Sequence, residues 1–269
     1  MISSRWVDRL LQQEADGCRW NFFKENKEVV EVAQIHPGLQ ITWLGHSGFF
    51  IRTPGGTHLA IDPWLSNPLC PDSAKQLPRL DVLLLTHGHG DHVGDAVTLA
   101  KQFNPQVVAI YELASYLGAQ GVQNTIGMNK GGTVKVAGLE VTMVHAIHSS
   151  AHVGEGGQIL YLGDPAGFVV KCEDGFTFYH AGDTAVFSDM QLIGQIYQPE
   201  LALLPIGGLY TMDPREAAVA VRLLGVKKVI PMHYRTFLPL TGTPDALREL
   251  TRDVPGLEVI ELQPGVPTE

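Results

Sequence analysis

The residues best suited to chemistry lie in one short run, Thr86-His87-Gly88-His89-Gly90-Asp91-His92. Three imidazoles and one carboxylate fall within six positions, and the two glycines let the backbone turn tightly enough to bring them together. Nitrogen and oxygen donors of this kind suit zinc, manganese, iron or nickel, and the run has no cysteine for a structural thiolate site. We therefore predict that this run binds metal, rather than being a polar loop that is rich in histidine by accident.

Further ligand-type residues follow apolar, β-rich runs downstream, and these are His148, Asp183 and His233. Singly, each has an ordinary structural explanation, because a lone histidine is often a core or surface residue and Gly-Asp is common in turns. Together, three such residues at three strand ends indicate one site at which the strands meet.

The segments that must position these residues are short β-rich runs broken by glycine and proline, with helical patterns after several of them. One helix is predicted over residues 95–103. Another begins at Asp213, the predicted N-cap, with Pro214 as its first residue and Glu216 as the capping-box partner. Strands are predicted at 40–43, 48–53, 58–61, 82–85, 107–111, 133–136, 140–146, 168–171, 177–180, 201–204 and 229–231.

The chain also contains a faint internal repeat. Residues 48–53 align with 167–172, and residues 81–85 align with 200–204, both at an offset of 119 residues. An offset this long predicts two similar β-rich halves rather than a solenoid. Two sheets packed face to face, with helices outside, would bury both halves in one core.

Composition narrows the class of protein. Of the 269 residues, 45% are apolar and 17% are charged, which is typical of a globular protein with a substantial core. The net charge of −9 argues against nucleic acid as a partner, because non-specific binding to phosphate backbones needs clustered Lys and Arg.

The cysteines and the N-terminus indicate the compartment. Cys18, Cys70 and Cys172 are odd in number and in no CxxC spacing, which is typical of reduced cytosolic thiols. Charges interrupt residues 1–30, so no signal peptide is predicted, and every apolar run is far below the roughly 20 residues that span a bilayer. We expect a cytoplasmic protein that acts on a small molecule without membrane insertion. A homo-oligomer is compatible with this sequence.

The order of the motifs resembles the metallo-β-lactamase superfamily over about residues 39–265. The pattern is similar to a branch of small metal-dependent hydrolases related to L-ascorbate-6-phosphate lactonases and, more distantly, to N-acyl phosphatidylethanolamine phospholipase D. The motifs that carry the resemblance are Leu44-Gly45-His46-Ser47, Ile61-Asp62-Pro63, residues 86–96, His148, Tyr179-His180-Ala181-Gly182-Asp183-Thr184, Pro205-Ile206-Gly207-Gly208 and Pro231-Met232-His233-Tyr234.

This resemblance implies an α/β fold, a four-layer αβ/βα sandwich with a pseudo-two-fold repeat, and two divalent metals at one edge of the sheets. Zinc is the expected metal, with manganese, nickel or iron as alternatives. Asp183 would bridge both ions, and Asp91 would also act in catalysis by orienting a metal-bridging hydroxide. By motif, the first metal would be held by His87, His89 and His148, and the second by Asp91, His92 and His233.

The implied function is hydrolysis of a small-molecule lactone or ester. A phosphodiesterase of phospholipid or nucleotide type is the main alternative. A di-iron oxidoreductase is a weaker one, because such proteins typically place glutamate where this chain has His89 and add a flavin domain for which the chain has no room.

Three further residues have weaker assignments. Asp62 follows an apolar strand and could accept the second N–H of a metal-bound histidine, or simply form an Asp-Pro turn. His46, in the first glycine-rich turn, could face the substrate or be structural. His152 could donate a proton to the leaving group or be an exposed loop residue.

The domain prediction has two parts. Residues 1–38 precede the first matching strand and are predicted to be a helical extension, because Trp6, Leu10 and Leu11 share one helical face. Residues 39–269 are predicted to form the hydrolase domain.

Overall fold

Two mixed β-sheets form the centre of the fold in the computed structural model, which describes residues 34–268. In the first sheet, six strands lie side by side in sequence order. These strands are β1 (Gln40–Gly45), β2 (Gly48–Arg52), β3 (His58–Ile61), β4 (Val82–Leu84), β5 (Gln106–Ile110) and β6 (Thr125–Met128).

The second sheet has seven strands in the order β15-β14-β13-β12-β11-β8-β7, and β9 and β10 form a separate hairpin. The strands are β7 (Thr133–Val136), β8 (Leu139–His145), β9 (Ala151–Val153), β10 (Ile159–Tyr161), β11 (Ala166–Lys171), β12 (Thr177–His180), β13 (Leu201–Pro205), β14 (Lys228–Met232) and β15 (Glu258–Val259).

The internal repeat is visible in the strand pairing. In the first sheet β2 pairs antiparallel with β1 and β3, and β3 to β6 are parallel; in the second sheet β11 pairs antiparallel with β8 and β12, and β12 to β15 are parallel. The register of the strand pairs repeats as well. Phe49 pairs with Ile61, and Phe168 pairs with His180, so each residue of the second pair lies 119 residues after its counterpart in the first. The two sheets are therefore two copies of one pattern.

Six helices flank the sheets in the described part of the chain. Asp213 caps α5 as predicted, because its Oδ1 accepts the backbone N–H groups of Arg215 at 2.8 Å and Glu216 at 3.0 Å. Helix α3 packs on β5 and β6, α5 on β13, and α6 on α5. The helices are α1 (Gly90–Val93), α2 (Ala96–Phe103), α3 (Tyr111–Ala119), α4 (Met190–Tyr197), α5 (Pro214–Leu224) and α6 (Pro244–Leu250).

The core is one cluster of buried apolar side chains drawn from both sheets. The sandwich architecture expected from the sequence is confirmed. Several strand boundaries differ from the predicted ones by one or two residues; the strand predicted over 107–111, for example, ends at Ile110, and Tyr111 begins α3. The helices of the described region include none that is long and apolar enough to cross a bilayer.

Two predictions fall wholly or partly outside the described residues. Of the predicted extension, only residues 34–38 are described; there Ile35 is buried and the N–H of Leu39 bonds the carbonyl of His36. The predicted N-terminal helix lies outside residues 34–268, as does Cys18. Cys70 and Cys172 are buried free thiols.

Candidate metal centre

The predicted ligand residues lie at the ends of strands along one edge of the two sheets. His233 follows β14 directly, His87 lies three residues after β4, and Asp183 lies three residues after β12. His148 lies three residues after β8, while His89, Asp91 and His92 belong to the turn that leads into α1 and to its first residues. The strand order of both sheets thus brings together residues that are far apart in the sequence.

Three histidines form a first group. The Nε2 atom of His87 lies 3.0 Å from Nδ1 of His89, and His148 supplies a third nitrogen, so that the three ligand atoms lie within 4.8 Å of one another. Two imidazole nitrogens that face each other this closely need either a proton or a cation between them, because two lone pairs repel. The geometry of this group fits a single metal ion.

A second group contains His46, Asp91, His92 and His233, whose ligand atoms also lie within 4.8 Å of one another. His92 is oriented by Asp62, whose Oδ2 lies 2.8 Å from His92 Nδ1. The Nε2 atom of His92 is buried and faces the cluster, 3.2 Å from Oδ2 of Asp183. A carboxylate on the ring nitrogen that points away from the cluster is the arrangement typical of metal-binding histidine.

Asp183 lies between the two groups. Its Oδ2 atom is 3.6 Å from Nε2 of His148, 3.2 Å from Nε2 of His92 and 3.0 Å from Nε2 of His233. This carboxylate is buried and therefore contacts one residue of the first group and two of the second. The seven residues predicted as metal ligands are thus brought into one continuous cluster.

The histidines of the first group have the protonation state that favours binding of a cation. Burial lowers the pKa of His87, His89 and His148 below the usual histidine value, so these imidazoles are neutral at pH 7. Neutral imidazole is the form that binds metal.

The carboxylates are ionised, and they attract positive charge. Burial opposes ionisation of Asp183, but the neighbouring His233 and His92 hold its pKa well below the usual range. Asp183 and Asp62 in turn raise the pKa of His92 well above the ordinary value, against the effect of burial. In the metal-free chain a proton on His92 thus supplies part of the positive charge that these carboxylates require, and the donor set fits divalent cations.

Asp62 accepts three hydrogen bonds from two residues. Besides His92, it accepts the backbone N–H of Thr86 at 2.9 Å and the Thr86 hydroxyl at 2.6 Å. The same hydroxyl lies 3.0 Å from Nδ1 of His87, so Asp62 supports both ligand groups. The structure thus places Asp62 beneath the cluster, fully buried.

His46 is also fully buried. Its Nε2 atom lies 3.0 Å from Oδ2 of Asp91, and its Nδ1 atom lies 2.9 Å from Oγ1 of Thr236. Burial lowers the pKa of His46 to about 4, although the hydrogen bond to Asp91 acts in the opposite direction.

Three residues of the site have left-handed backbone conformations that are uncommon outside glycine. These are His46, Asp62 and His233, with φ values of 53°, 46° and 55°. Each ends or follows a strand, and the N–H of His233 bonds the carbonyl of His46 at 2.9 Å. Strained backbone that the surrounding contacts hold in place is typical of functional sites.

Sequence reasoning missed several supporting hydroxyls. Thr86 joins Asp62 to His87, the Ser47 hydroxyl lies 3.4 Å from Asp183 Oδ1, and Ser150 accepts the N–H of Gly88 at 3.0 Å. Thr86 and Ser47 adjoin predicted site residues, which is a signal that could have found them, whereas Thr236 lies 190 residues from its partner His46.

His152 is placed differently. It lies on β9, with its ring centroid 5.9 Å from that of Tyr116. It belongs to none of the groups of closely spaced ligand atoms among the described residues.

Comparison with known proteins agrees with this geometry. Residues 57–234 match the family model of the β-lactamase superfamily domain. A UPF0173 metal-dependent hydrolase of Solibacter usitatus is 54% identical over 232 residues, covering 86% of this chain and 100% of the relative. Another from Koribacter versatilis is 51% identical over 229 residues, covering 85% and 97%.

Solved structures show the same fold. A metallo hydrolase from the hyperthermophilic archaeon Ignicoccus hospitalis is 37% identical, with a TM-score of 0.74 over 86% of this chain and 98% of that chain. An isothiocyanate hydrolase from Delia radicum gut bacteria has a TM-score of 0.66 over 86% of this chain and 98% of its own, at 21% identity. At that identity the likeness concerns the fold alone.

Proposed function

Because the chain belongs to the UPF0173 metal-dependent hydrolases of the β-lactamase superfamily, we propose that it is a binuclear enzyme that hydrolyses a small-molecule lactone or ester. The observation that carries the binuclear assignment is the position of Asp183. Its Oδ2 atom lies within 3.6 Å of nitrogens from both ligand groups, which is a position from which one carboxylate could serve two cations.

In this proposal each cation would have three ligands of its own and would share Asp183. Bound divalent cations lower the pKa of water towards roughly 7 and polarise the substrate oxygen. Zinc suits the nitrogen-rich donor set, which also accepts manganese, nickel or iron. The first ion would be held by His87, His89 and His148, and the second by Asp91, His92 and His233.

Asp91 is the proposed catalytic carboxylate. Its side chain is the most exposed of the second group, at 28%, whereas that of Asp183 is only 2% exposed. Its Oδ2 atom accepts from His46, which leaves Oδ1 as the oxygen that can orient the attacking water. Burial would raise the pKa of Asp91, but the hydrogen bond from His46 and the charge of His92 hold it well below the usual range, so the carboxylate is ionised and can accept a hydrogen bond from water.

The proposed substrate class rests on the surroundings of the second group. Trp64 and Phe237 lie with ring centroids 5.9 Å apart, and each lies 5.5 Å from the ring of His46. Phe237 is 39% exposed, and the neighbouring Leu238 is 96% exposed. Apolar rings beside ionic groups suit an uncharged ester or lactone with a hydrocarbon portion, because such a substrate is desolvated at little cost.

A substrate panel tests this function. Protein loaded with zinc, manganese or nickel is assayed on nitrophenyl esters, lactones, bis(nitrophenyl) phosphate and a chromogenic β-lactam. We expect the ester or lactone to be hydrolysed fastest, and Asp91→Asn to lose most of this activity. Asp72→Asn is the matched control, because within residues 34–268 this exposed carboxylate pairs with Lys75 alone. Faster hydrolysis of the phosphodiester, or no hydrolysis by metal-loaded protein, would contradict the proposal.

A further inference from the structure

We infer that four residues beside the candidate metal centre form an apolar subsite, and that this subsite binds the hydrocarbon chain of the substrate. We call these residues the apolar rim, and they are Leu209, Tyr210, Phe237 and Leu238. The inference rests on the proposed function, because it narrows the substrate class to esters and lactones that carry an alkyl chain of several carbons.

The side chains of the apolar rim are exposed to solvent. Leu209 is 70% exposed and Tyr210 is 56% exposed, and Phe237 and Leu238 are exposed as well. A single exposed apolar side chain is common on protein surfaces and needs no explanation. Four of them in two neighbouring turns form a patch, and such patches mark surfaces that bind a ligand or a partner.

The two turns that carry the rim are joined by their backbones. A hydrogen bond of 3.0 Å from the N–H of residue 208 to the carbonyl of residue 212 closes the first turn. A bond of 2.9 Å from the N–H of Leu240 to the carbonyl of Phe237 closes the second. The N–H of Gly242 donates to the carbonyl of Gly207 at 3.2 Å, so the two segments are held side by side.

The apolar rim is continuous with the candidate metal centre. The ring of Phe237 lies 5.5 Å from the ring of His46, which belongs to the second ligand group. At the other turn, the N–H of Met212 donates at 3.1 Å to the carbonyl of Thr184, the residue that follows Asp183. An alkyl chain that extends from a bond broken at this centre therefore meets the rim directly.

The backbone of Leu209 is a second observation that favours a ligand. Its φ of 58° lies in the left-handed region, in which glycine, asparagine and aspartate are the ordinary residues. Burial does not compensate for this strain, because most of the side chain is exposed. Backbone strain of this kind is typical of segments that bind ligands, so an apolar side chain presented here is better explained by binding than by folding.

The chemistry of the rim favours an uncharged ligand. Residues 206–212 and 236–242 contain no lysine, arginine, aspartate or glutamate. The adjacent Arg235 pairs with Glu261 at 3.1 Å, and Asp213 caps α5. An alkyl chain suits such a surface best, because it removes apolar area from water without desolvating a charge.

A series of nitrophenyl esters from acetate to hexanoate tests the inference. Each rate on metal-loaded protein is divided by the rate of the same ester in buffer alone, which removes the intrinsic reactivity of the ester. For the wild type, kcat/KM should rise by about two- to fourfold with each added methylene, fourfold being the value for a fully buried CH₂.

Two substitutions remove the apolar side chains of the rim. Leu209→Asn places a polar residue that tolerates the left-handed backbone, and Leu238→Ser shortens an exposed side chain, so both variants should fold. Their loss of kcat/KM should grow with chain length, being smallest for acetate and largest for hexanoate. Leu192→Ser is the matched control, because this half-exposed leucine lies on α4 away from the rim turns, and it should keep the wild-type dependence.

Binding of the product acids gives a readout without turnover. Titration calorimetry of zinc-loaded protein with acetate, butyrate and hexanoate compares ligands that share one carboxylate and differ only in the alkyl chain. The dissociation constant should fall with chain length in the wild type and in Leu192→Ser. In the two rim variants it should fall much less.

Three results separate the inference from the proposed function. A kcat/KM that is equal for all chain lengths in the wild type, or a dependence that the rim variants retain, would overturn the inference and leave ester hydrolysis intact. A changed mass in solution of the rim variants, with the dependence retained, would make the rim a contact between two copies of the chain. Wild-type protein that binds hexanoate more tightly than acetate but hydrolyses no ester would contradict the proposed function alone.

Discussion

At the scale of single residues, the site separates three carboxylates by what they touch. Asp183 lies close to three imidazole nitrogens. Asp91 contacts His46 and is partly exposed to solvent. Asp62 contacts Thr86 and the ring nitrogen of His92 that points away from the cluster. All three lie among the histidines of the candidate metal centre. Their positions therefore predict unequal effects of the same substitution.

Asp183→Asn should reduce kcat/KM and second-metal affinity much more than Asp62→Asn. The first change removes a charged oxygen that both cations would share, while the second removes a contact that orients His92, for which losses of about 10–100-fold are typical. Both variants keep the size of the side chain. Parallel metal titrations and initial rates would measure the difference, and equal losses in the two variants would show that the roles are wrongly assigned.

The sequence could indicate the seven candidate ligands because their types and their places after β-rich runs are visible locally. The roles of His46 and Asp62 could not be settled in that way. Their behaviour depends on which ring nitrogen meets which partner, and Thr236 approaches His46 from 190 residues away. Burial, which distinguishes a substrate contact from a supporting one, is likewise a property of the assembled sheets.

At the scale of elements, the two glycines of the metal-binding turn have different surroundings. A Cβ at Gly88 would lie 2.7 Å from Cβ of Leu162, just beyond β10, whereas a Cβ at Gly90 would meet nothing within 4 Å. Gly90 is also the first residue of helix α1 and has no positive φ. One glycine is required by packing, and the other is not.

Gly88→Ala should therefore destabilise the protein and Gly90→Ala should not. Overpacking against Leu162 is expected to lower the free energy of unfolding by about 1–3 kcal/mol and to displace His87 and His89. Alanine at the first helical position should be neutral or slightly stabilising. Urea denaturation of the metal-free variants, followed by metal titration, provides the comparison. Similar free energies of unfolding for the two variants would mean that the contact with Leu162 does not destabilise Gly88→Ala.

Much of the fold could be predicted from the sequence, because β-rich runs broken by glycine marked eleven strands and the offset of 119 residues carried over into the strand register. Elements held mainly by their neighbours were not indicated. β6 is half-exposed and pairs only along β5, β15 has two residues, and the hairpin of β9 and β10 exposes Val153, Ile159 and Tyr161. Such segments lack a local periodic pattern.

At the scale of the whole molecule, the ligand cluster makes stability depend on pH when metal is absent. Burial lowers the pKa of His46 to about 4 and lowers those of His87, His89 and His148 as well. In the unfolded chain these groups titrate near 6.5. Between about pH 4.5 and 6.5 the unfolded state therefore binds more protons, and stability must fall as the pH falls.

Metal-free protein should thus show a free energy of unfolding that decreases steadily from pH 6.5 to pH 4.5. His92, whose pKa is raised in the folded state, is largely protonated in both states in the lower part of this window and offsets the effect only near pH 6.5. Denaturant titrations of chelator-treated protein at several pH values measure the slope. His46→Gln removes one of the responsible groups and should give a shallower slope; a slope that is flat or reversed in the wild type would contradict the assignment.

The most direct test of the binuclear centre is the number of metal ions bound per chain at saturation. Chelator-treated protein is loaded with zinc, manganese or nickel, freed of excess ion by gel filtration, and measured by elemental analysis beside Asp183→Asn. Two ion sites that share a carboxylate predict close to two ions per chain in the wild type and fewer in the variant. Saturation at one ion or none with all three metals would contradict the account.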